Sequence, residues 1–151
     1  MNEASGDELI QGGCYCGAIR FHARGPLKFS VNCHCANCRR AIGAQSVAFI
    51  CVRLSTLEWE KGSPQRYRTD TGAWRTFCPV CGTSLTYEHD KRPGEIDLIT
   101  GSLDEPERFA PTEDAFPEER LSWVPLVPKT TASCRPPDAG PSAPVGRPWP
   151  S

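Results

Sequence analysis

The chain of 151 residues has little that would carry it into a membrane or onto a nucleic acid. Its longest apolar run, Val47 to Val52, falls far short of the ~20 residues that span a bilayer. Met1 to Ile10 holds Asp7 and two Glu where a secretory leader would place a basic stretch and then an apolar one, so no leader is read. Basic and acidic residues number 17 and 18, and no dense Lys/Arg cluster supplies the basic face that a nucleic-acid binder needs. No window of 11 residues carries a convincing amphipathic helix, and no Ser/His/Asp or paired-carboxylate arrangement is visible. These absences lead to the expectation of a cytoplasmic protein without nucleic-acid or membrane partners. The sequence leaves the oligomeric state open.

What is present is turn-forming and sulfur-rich: 15 Pro, 13 Gly and nine Cys. Pro and Gly at this density favour short elements over long helices. Three segments separate by composition: a polar lead-in over 1–11, a body over 12–128, and a segment over 129–151 with six Pro, expected to be a disordered tail. Within the body the dominant period is two. Ala18–His22, Leu27–Val31, Thr56–Glu60, Gln65–Arg68 and Glu95–Ile99 alternate apolar and polar residues as half-buried strands do. Ser46 to Val52 is more continuously apolar, which predicts a strand covered on both faces. The only helical candidate is a short turn over Asn37 to Ala41. The expectation is a mainly β single domain of about eight short strands.

Seven of the nine cysteines fall in tight groups: Cys14/Cys16, Cys33/Cys35/Cys38 and Cys78/Cys81. Disulfides do not persist in a reducing compartment, so clustered cysteines point to metal or to catalysis. A C-x-x-C pair lets two thiolates converge on one ion, and Cys78-Pro79-Val80-Cys81-Gly82 has the Pro and Gly that bend such a knuckle. Spacing alone does not decide which groups share an ion. Stoichiometry does suggest a partition. Two pairs make the four ligands of a closed structural zinc site, Cys14, Cys16, Cys78 and Cys81. The triplet Cys33, Cys35 and Cys38 makes three, leaving a position for water or substrate or, alternatively, for a fourth protein ligand such as His34. With one thiolate fewer, the second ion would be the better Lewis acid.

Cys51 reads as a buried small hydrophobe and Cys134 as a free thiol in the tail. Arg39 and Arg40 follow the triplet, and Arg75 precedes the Cys78 knuckle. Each suits either an anionic substrate or compensation of thiolate charge, and Arg39 and Arg40 are carried as candidate cofactor- or substrate-binding residues. His22 and His89 read as surface residues. Asp104 to Glu119, with seven acids and one Arg, reads as a solvated loop.

Gly12-Gly13-Cys14-Tyr15-Cys16-Gly17, Cys33-His34-Cys35-Ala36-Asn37-Cys38-Arg39, Phe77-Cys78-Pro79-Val80-Cys81-Gly82 and Gly101-Ser102-Leu103-Asp104 together resemble the glutathione-dependent formaldehyde-activating enzyme family, also called the centromere protein V/formaldehyde-activating domain. The resemblance runs from about Gly12 to Trp123. It implies an Mss4-like fold held by two Zn²⁺ per chain, and carbon–sulfur lyase chemistry on a thiol adduct with glutathione as a possible co-substrate. It also implies structural zinc ligands at Cys14, Cys16, Cys78 and Cys81, and catalytic ones at Cys33, Cys35 and Cys38. The expected reaction joins glutathione and formaldehyde as S-(hydroxymethyl)glutathione, a small-molecule thiol losing its proton at the open ion. The competing expectation is a non-catalytic zinc module for protein interaction or metal buffering.

Overall fold

The computed structural model describes residues 8–129. The expected tail over 129–151 therefore lies, apart from Lys129, outside the described residues. Ten strands form: β1 Leu9–Gly13, β2 Arg20–Arg24, β3 Phe29–Cys33, β4 Val47–Arg53, β5 Glu58–Lys61, β6 Gln65–Arg68, β7 Ala73–Phe77, β8 Ser84–His89, β9 Glu95–Ile99 and β10 Glu113–Ala115. The α-helix among the described residues is α1, Ala36–Ile42, where the helical turn was expected. β6 and β9 coincide with their alternating runs, although β6, at the sheet edge, is exposed throughout rather than half-buried, while β2, β3 and β5 begin two residues later than the runs that announced them. The first three residues of β1, Leu9 to Gln11, sit inside the segment read as lead-in, and Ile10 is buried.

The strands make two sheets. One has three strands in the order β1-β2-β5; the other has seven in the order β10-β3-β4-β9-β8-β7-β6. All pairings are antiparallel except that of β10 with β3, which is parallel. The principal core cluster joins the two sheets. Ile10, Phe21 and Ala23 from β1 and β2 meet Ile50, Val52, Leu85, Ile96 and Leu98 from the large sheet. Burial of each large side chain contributes roughly 1.5–3 kcal/mol relative to exposure. Phe21 and Trp59 add an edge-to-face contact with centroids 5.6 Å apart.

The continuous apolar run of β4 has a physical reason. Ile50 and Val52 point into the core between the sheets, whereas Val47 and Phe49 join a second cluster with Cys33 and Cys38 on the opposite face. Strand periodicity alone separates these two sets. The second face of the large sheet is therefore free to build a site while the first holds the fold. Close approach is needed at one turn: Gly62 has φ +74°, and a Cβ there would lie 2.2 Å from the Ala18 carbonyl oxygen.

Candidate functional site

The thiols of Cys14, Cys16, Cys78 and Cys81 come together from the β1–β2 and β7–β8 connections, with their sulfurs all within 4.8 Å of one another. Sγ of Cys16 lies 3.6 Å from that of Cys14 and 3.9 Å from that of Cys78, against about 3.8 Å for two sulfurs on a tetrahedral Zn²⁺ with 2.3 Å bonds. Backbone amides favour negative charge here: Ile19 N–H points at Cys14 Sγ (3.2 Å), and Val80 and Cys81 N–H at Cys78 Sγ (3.4 and 3.5 Å). Hydrogen bonds from the Thr83 hydroxyl and backbone push the Cys81 thiol down to about 5. This donor set fits a closed zinc site.

The second cluster brings Cys33, Cys35 and Cys38 together, again with all sulfurs within 4.8 Å. Cys33 ends β3. Cys35 is the N-cap of α1, and its sulfur accepts the Cys38 N–H at 3.2 Å. The C-x-x-C spacing is thus also the spacing from N-cap to third helical residue, so one helix start both caps itself and converges two sulfurs. Gly43, with φ +73°, stops the helix after seven residues. Cys38 is pushed down to about 5, first by the hydrogen bond from Cys33 and then by Arg75, whose Nη2 lies 3.5 Å from its sulfur; Cys33 is pushed correspondingly far up. Three thiols with one favoured thiolate fit a cation. His34 does not join them. It is fully buried, with Nε2 2.7 Å from Asp114 Oδ1 on β10.

A rung of paired residues crosses the large sheet beside this cluster. Phe29 pairs with Cys51, Cys51 with Asp97, Asp97 with Tyr87, Tyr87 with Arg75, and Arg75 with Tyr67. Residues in one rung share a face. This one forms the floor of two cavities. The first, of about 480 Å³, is lined by Cys33 and Cys38 together with Phe29, Val31, Phe49 and Phe116, and by Lys91, Arg92 and Asp97. The second, of about 580 Å³, is lined by Arg40, Tyr67, Asp70, Arg75 and Thr86 among others, and shares Asn37 and Thr71 with the first. Both fall in the size range of small-molecule sites. Arg92 closes one end of the cysteine cavity, bonded to Asp97 through Nη1 (3.0 Å) and Nη2 (2.6 Å) and stacked over Phe29. Burial pushes the Asp97 carboxyl up against the pull of Arg92. Phe116 reaches the cavity from a backbone with φ +53°, a strained conformation for a residue with a side chain.

The candidate arginines separate. Arg39 donates to the His34 and Glu119 carbonyl oxygens (3.1 and 3.4 Å) and so ties α1 to the chain around it, whereas Arg40 lines the second cavity. Cys51 is fully buried, as expected, and lies within 4 Å of polar atoms of Arg92 and Glu95. His22 pairs with Glu60 at 2.6 Å, and His89 accepts the Lys91 N–H. The acidic stretch is more than a solvated loop. β10 pairs with β3, Asp114 holds His34 and the Val127 N–H, and Glu119 Oε1 accepts the Ala36 N–H at 3.2 Å, so this segment clasps the three-cysteine loop. Composition hid this role, because acids at a sheet edge look like acids in solvent. Arg92, Asp97, Lys91 and Phe116 were likewise not singled out from the sequence. The alternation Glu95-Ile96-Asp97-Leu98-Ile99 does place Asp97 opposite the core-facing Ile96 and Leu98, and that signal could have marked it.

A mainly β protein with one four-thiol and one three-thiol cluster, the latter opening on a cavity, is a defined class. The family model described as glutathione-dependent formaldehyde-activating enzyme matches residues 9–119, and the chain belongs to that family. The match starts three residues earlier and ends four residues sooner than the Gly12–Trp123 span of the resemblance. A Schizosaccharomyces pombe protein named as an uncharacterized lyase is 32% identical over 85 residues, 55% of this chain and 61% of the relative. The chain thus spans less than two thirds of that relative. A crystal structure of a Rhodobacter sphaeroides protein is similar with a TM-score of 0.53 and 27% identity, covering 62% of this chain and 87% of the other. No helix of the described residues is long and apolar enough to cross a membrane.

Proposed function

We propose that the protein is a zinc-dependent carbon–sulfur lyase that makes and breaks the adduct of a small thiol with an aldehyde, glutathione and formaldehyde being the pair that the family description suggests. The observation that carries this reading is the presence of Cys33 and Cys38 in the wall of a 480 Å³ cavity, in a cluster of three sulfurs where the other has four. Cys33, Cys35 and Cys38 would hold one Zn²⁺, and Cys14, Cys16, Cys78 and Cys81 a second. The first ion, when bound, would supply Lewis acidity and favour the thiolate of an incoming thiol.

In the forward direction the substrate sulfur bonds to the aldehyde carbon, the carbon–oxygen π pair moves to oxygen, and the proton lost by the thiol ends on the new hydroxyl. Nothing is oxidised or reduced, and the reverse step returns thiol and aldehyde. An aldehyde as electrophilic as formaldehyde needs mainly proximity, which the chain supplies by enclosure. Phe29, Val31, Phe49 and Phe116 exclude water from one side, and Lys91 offers positive charge to an anionic thiol substrate. Arg75, beside Cys38, stabilises negative charge on the cluster. Cysteines grouped as metal ligands rather than in disulfides suit a reducing compartment, in keeping with the proposed cytoplasmic location.

The test is zinc quantification on the purified protein, followed by addition of glutathione, then of glutathione with formaldehyde, to a cobalt-substituted sample. Two metals per chain, a thiolate-to-cobalt spectrum altered by glutathione, and turnover of the adduct are expected. A spectrum indifferent to every thiol tried, with no turnover, would favour the non-catalytic zinc module.

A further inference from the structure

The two cysteine clusters differ in what covers them. In the trio, Cys33 and Cys38 are buried in the second hydrophobic cluster and Cys35 is half-buried. In the four-thiol cluster Cys78 is buried and Cys14 half-buried, but Cys16 and Cys81 are exposed. Their neighbours at the knuckle tips, Tyr15 and Val80, are 73% and 74% exposed, so the described chain leaves this end of the cluster open. Oxidation of a thiolate follows its accessibility. The four sulfurs are therefore unequal, and the two that a solute can reach come from different turns: Cys16 from the β1–β2 connection and Cys81 from the β7–β8 connection, with their sulfurs within 4.8 Å. The other two are held from behind. Cys78 accepts the Val80 and Cys81 N–H groups and packs in the principal core, and Cys14 accepts the Ile19 N–H. Closing Cys16 and Cys81 to the roughly 2 Å of a disulfide takes rotation of two exposed side chains, with no movement of the core.

We propose that Cys16 and Cys81 are an oxidation site: a hydroperoxide joins them in a disulfide that takes over the cross-link between the two connections and releases the ion held there. One thiolate attacks a peroxide oxygen, so that a sulfur–oxygen bond forms, the oxygen–oxygen bond breaks and hydroxide or alkoxide leaves with the electron pair. The second thiolate displaces the remaining oxygen as hydroxide and forms the sulfur–sulfur bond. Each sulfur is oxidised by one electron, the peroxide is reduced by two, and solvent protonates both leaving groups. Zn²⁺, unchanged in valence, keeps only Cys14 and Cys78, too few for its usual four ligands. A bridge inside one knuckle, Cys14 to Cys16 or Cys78 to Cys81, would leave the two connections untied. The bridge between them keeps the small sheet fastened to the large one, so the oxidised chain stays folded. The inference rests on the reading of this cluster as a zinc site and is independent of the lyase reaction.

The test uses the zinc-loaded wild-type protein, treated with a few equivalents of hydrogen peroxide in the absence of any small thiol. Released zinc is followed with a colorimetric chelator, and the reaction is quenched with N-ethylmaleimide for peptide mapping without reduction. One of the two ions should leave in step with a Cys16–Cys81 disulfide, Cys33, Cys35 and Cys38 should be recovered unoxidised, and the β circular dichroism should persist. Dithiothreitol with added zinc should reverse both changes. A bridge confined to one knuckle, zinc drawn first from the trio, sulfinic acids without a bridge, unfolding on release, or a four-thiol cluster that holds no zinc overturns the inference, even in a protein that turns over glutathione and formaldehyde. Release in step with the Cys16–Cys81 bridge, in a protein that turns nothing over, upholds the oxidation site and counts against the lyase instead.

Discussion

The Arg92–Asp97 pair at the end of the cysteine cavity can be tested as a buried charge rather than as a contact. The Asp97 side chain is 7% exposed and accepts two hydrogen bonds from Arg92, while Arg92 itself is 30% exposed. Arg92→Leu leaves the carboxylate beside Cys51 and the aromatic wall with no cation on it. Removing one partner of a buried pair costs about 3–5 kcal/mol, and the partial exposure of Arg92 sets the expectation at the lower end, about 3 kcal/mol. At about 2.1 cal/mol/K per residue over roughly 120 ordered residues, that is a fall in Tm of about 12 °C near neutral pH. Burial already holds the folded-state pKa of Asp97 up, and losing Arg92 removes the group that lowers it. An acid with a raised folded-state pKa binds its proton more tightly in the native state, so its contribution to stability is present at low pH and is lost as pH rises through that pKa. The deficit of Arg92→Leu should therefore shrink between pH 7 and pH 5, and Asp97→Asn in the same chain should restore most of the Tm at pH 7. Thermal melts followed by circular dichroism at both pH values decide it. A deficit under about 1 kcal/mol, or one that neither pH nor Asp97→Asn reduces, would refute the account of an uncompensated charge.

Four further outcomes are expected. Cys35→Ser should keep the fold, because serine is a good helix N-cap, and lose adduct turnover at least a hundredfold, whereas Cys78→Ser at a fully buried position should lower Tm sharply and release metal to a colorimetric chelator. Gly62→Ala should cost about 2–3 kcal/mol in urea unfolding, since a left-handed backbone and the Ala18 carbonyl both oppose the new methyl group. Asp114→Ala removes the acceptor for His34 and Val127 N–H; about 2–4 kcal/mol of stability should be lost, and limited proteolysis should cut first near β10. Cys51, pushed up to about 12 chiefly by burial, should resist alkylation until the chain is denatured, with mass spectrometry of the chelated protein finding the exposed, low-pKa Cys81 labelled first.

The parts of this molecule that were legible in the sequence are those whose signal is local. β6 and β9 alternate cleanly, β4 is apolar on both faces because it separates two clusters, and the C-x-x-C spacings announce their own turns. β1 was obscured because Leu9 to Gln11 belong to a stretch that composition sets apart as polar and Gly12 and Gly13 have no side chain to alternate; pairing with β2 makes the five a strand. β7 and β8 flank the Cys78 knuckle, and the register shift there puts Leu85 in the core while Tyr87, two residues on, faces the cysteine cavity, so no clean alternation marks β8. β10 could not be seen at all: Glu113-Asp114-Ala115 has poor strand propensity and is a strand because β3 lies beside it. The candidate site divides in the same way. The seven cysteines and their partition into four and three could be argued from their grouping and from ligand stoichiometry, but the cavity, the rung from Phe29 to Tyr67 and the Arg92–Asp97 clamp exist only once distant strands are in register.

The clasp of β10 over the three-cysteine loop has a consequence for how the molecule is made. Cys33, Cys35 and Cys38 are neighbours in the chain, so their sulfurs can meet as soon as that short stretch leaves the ribosome. The backing of His34 by Asp114 spans 80 residues, and even the four-thiol cluster must bridge the 62 between Cys16 and Cys78. Contacts at such separations form only after long loops have closed. During synthesis the trio is therefore a small exposed thiol centre, open to any soft metal or oxidant at hand, until the seven residues from Glu113 to Glu119 arrive to cover it. Which cation such a trio would take up is then set as much by what surrounds the nascent chain as by the geometry of the finished one.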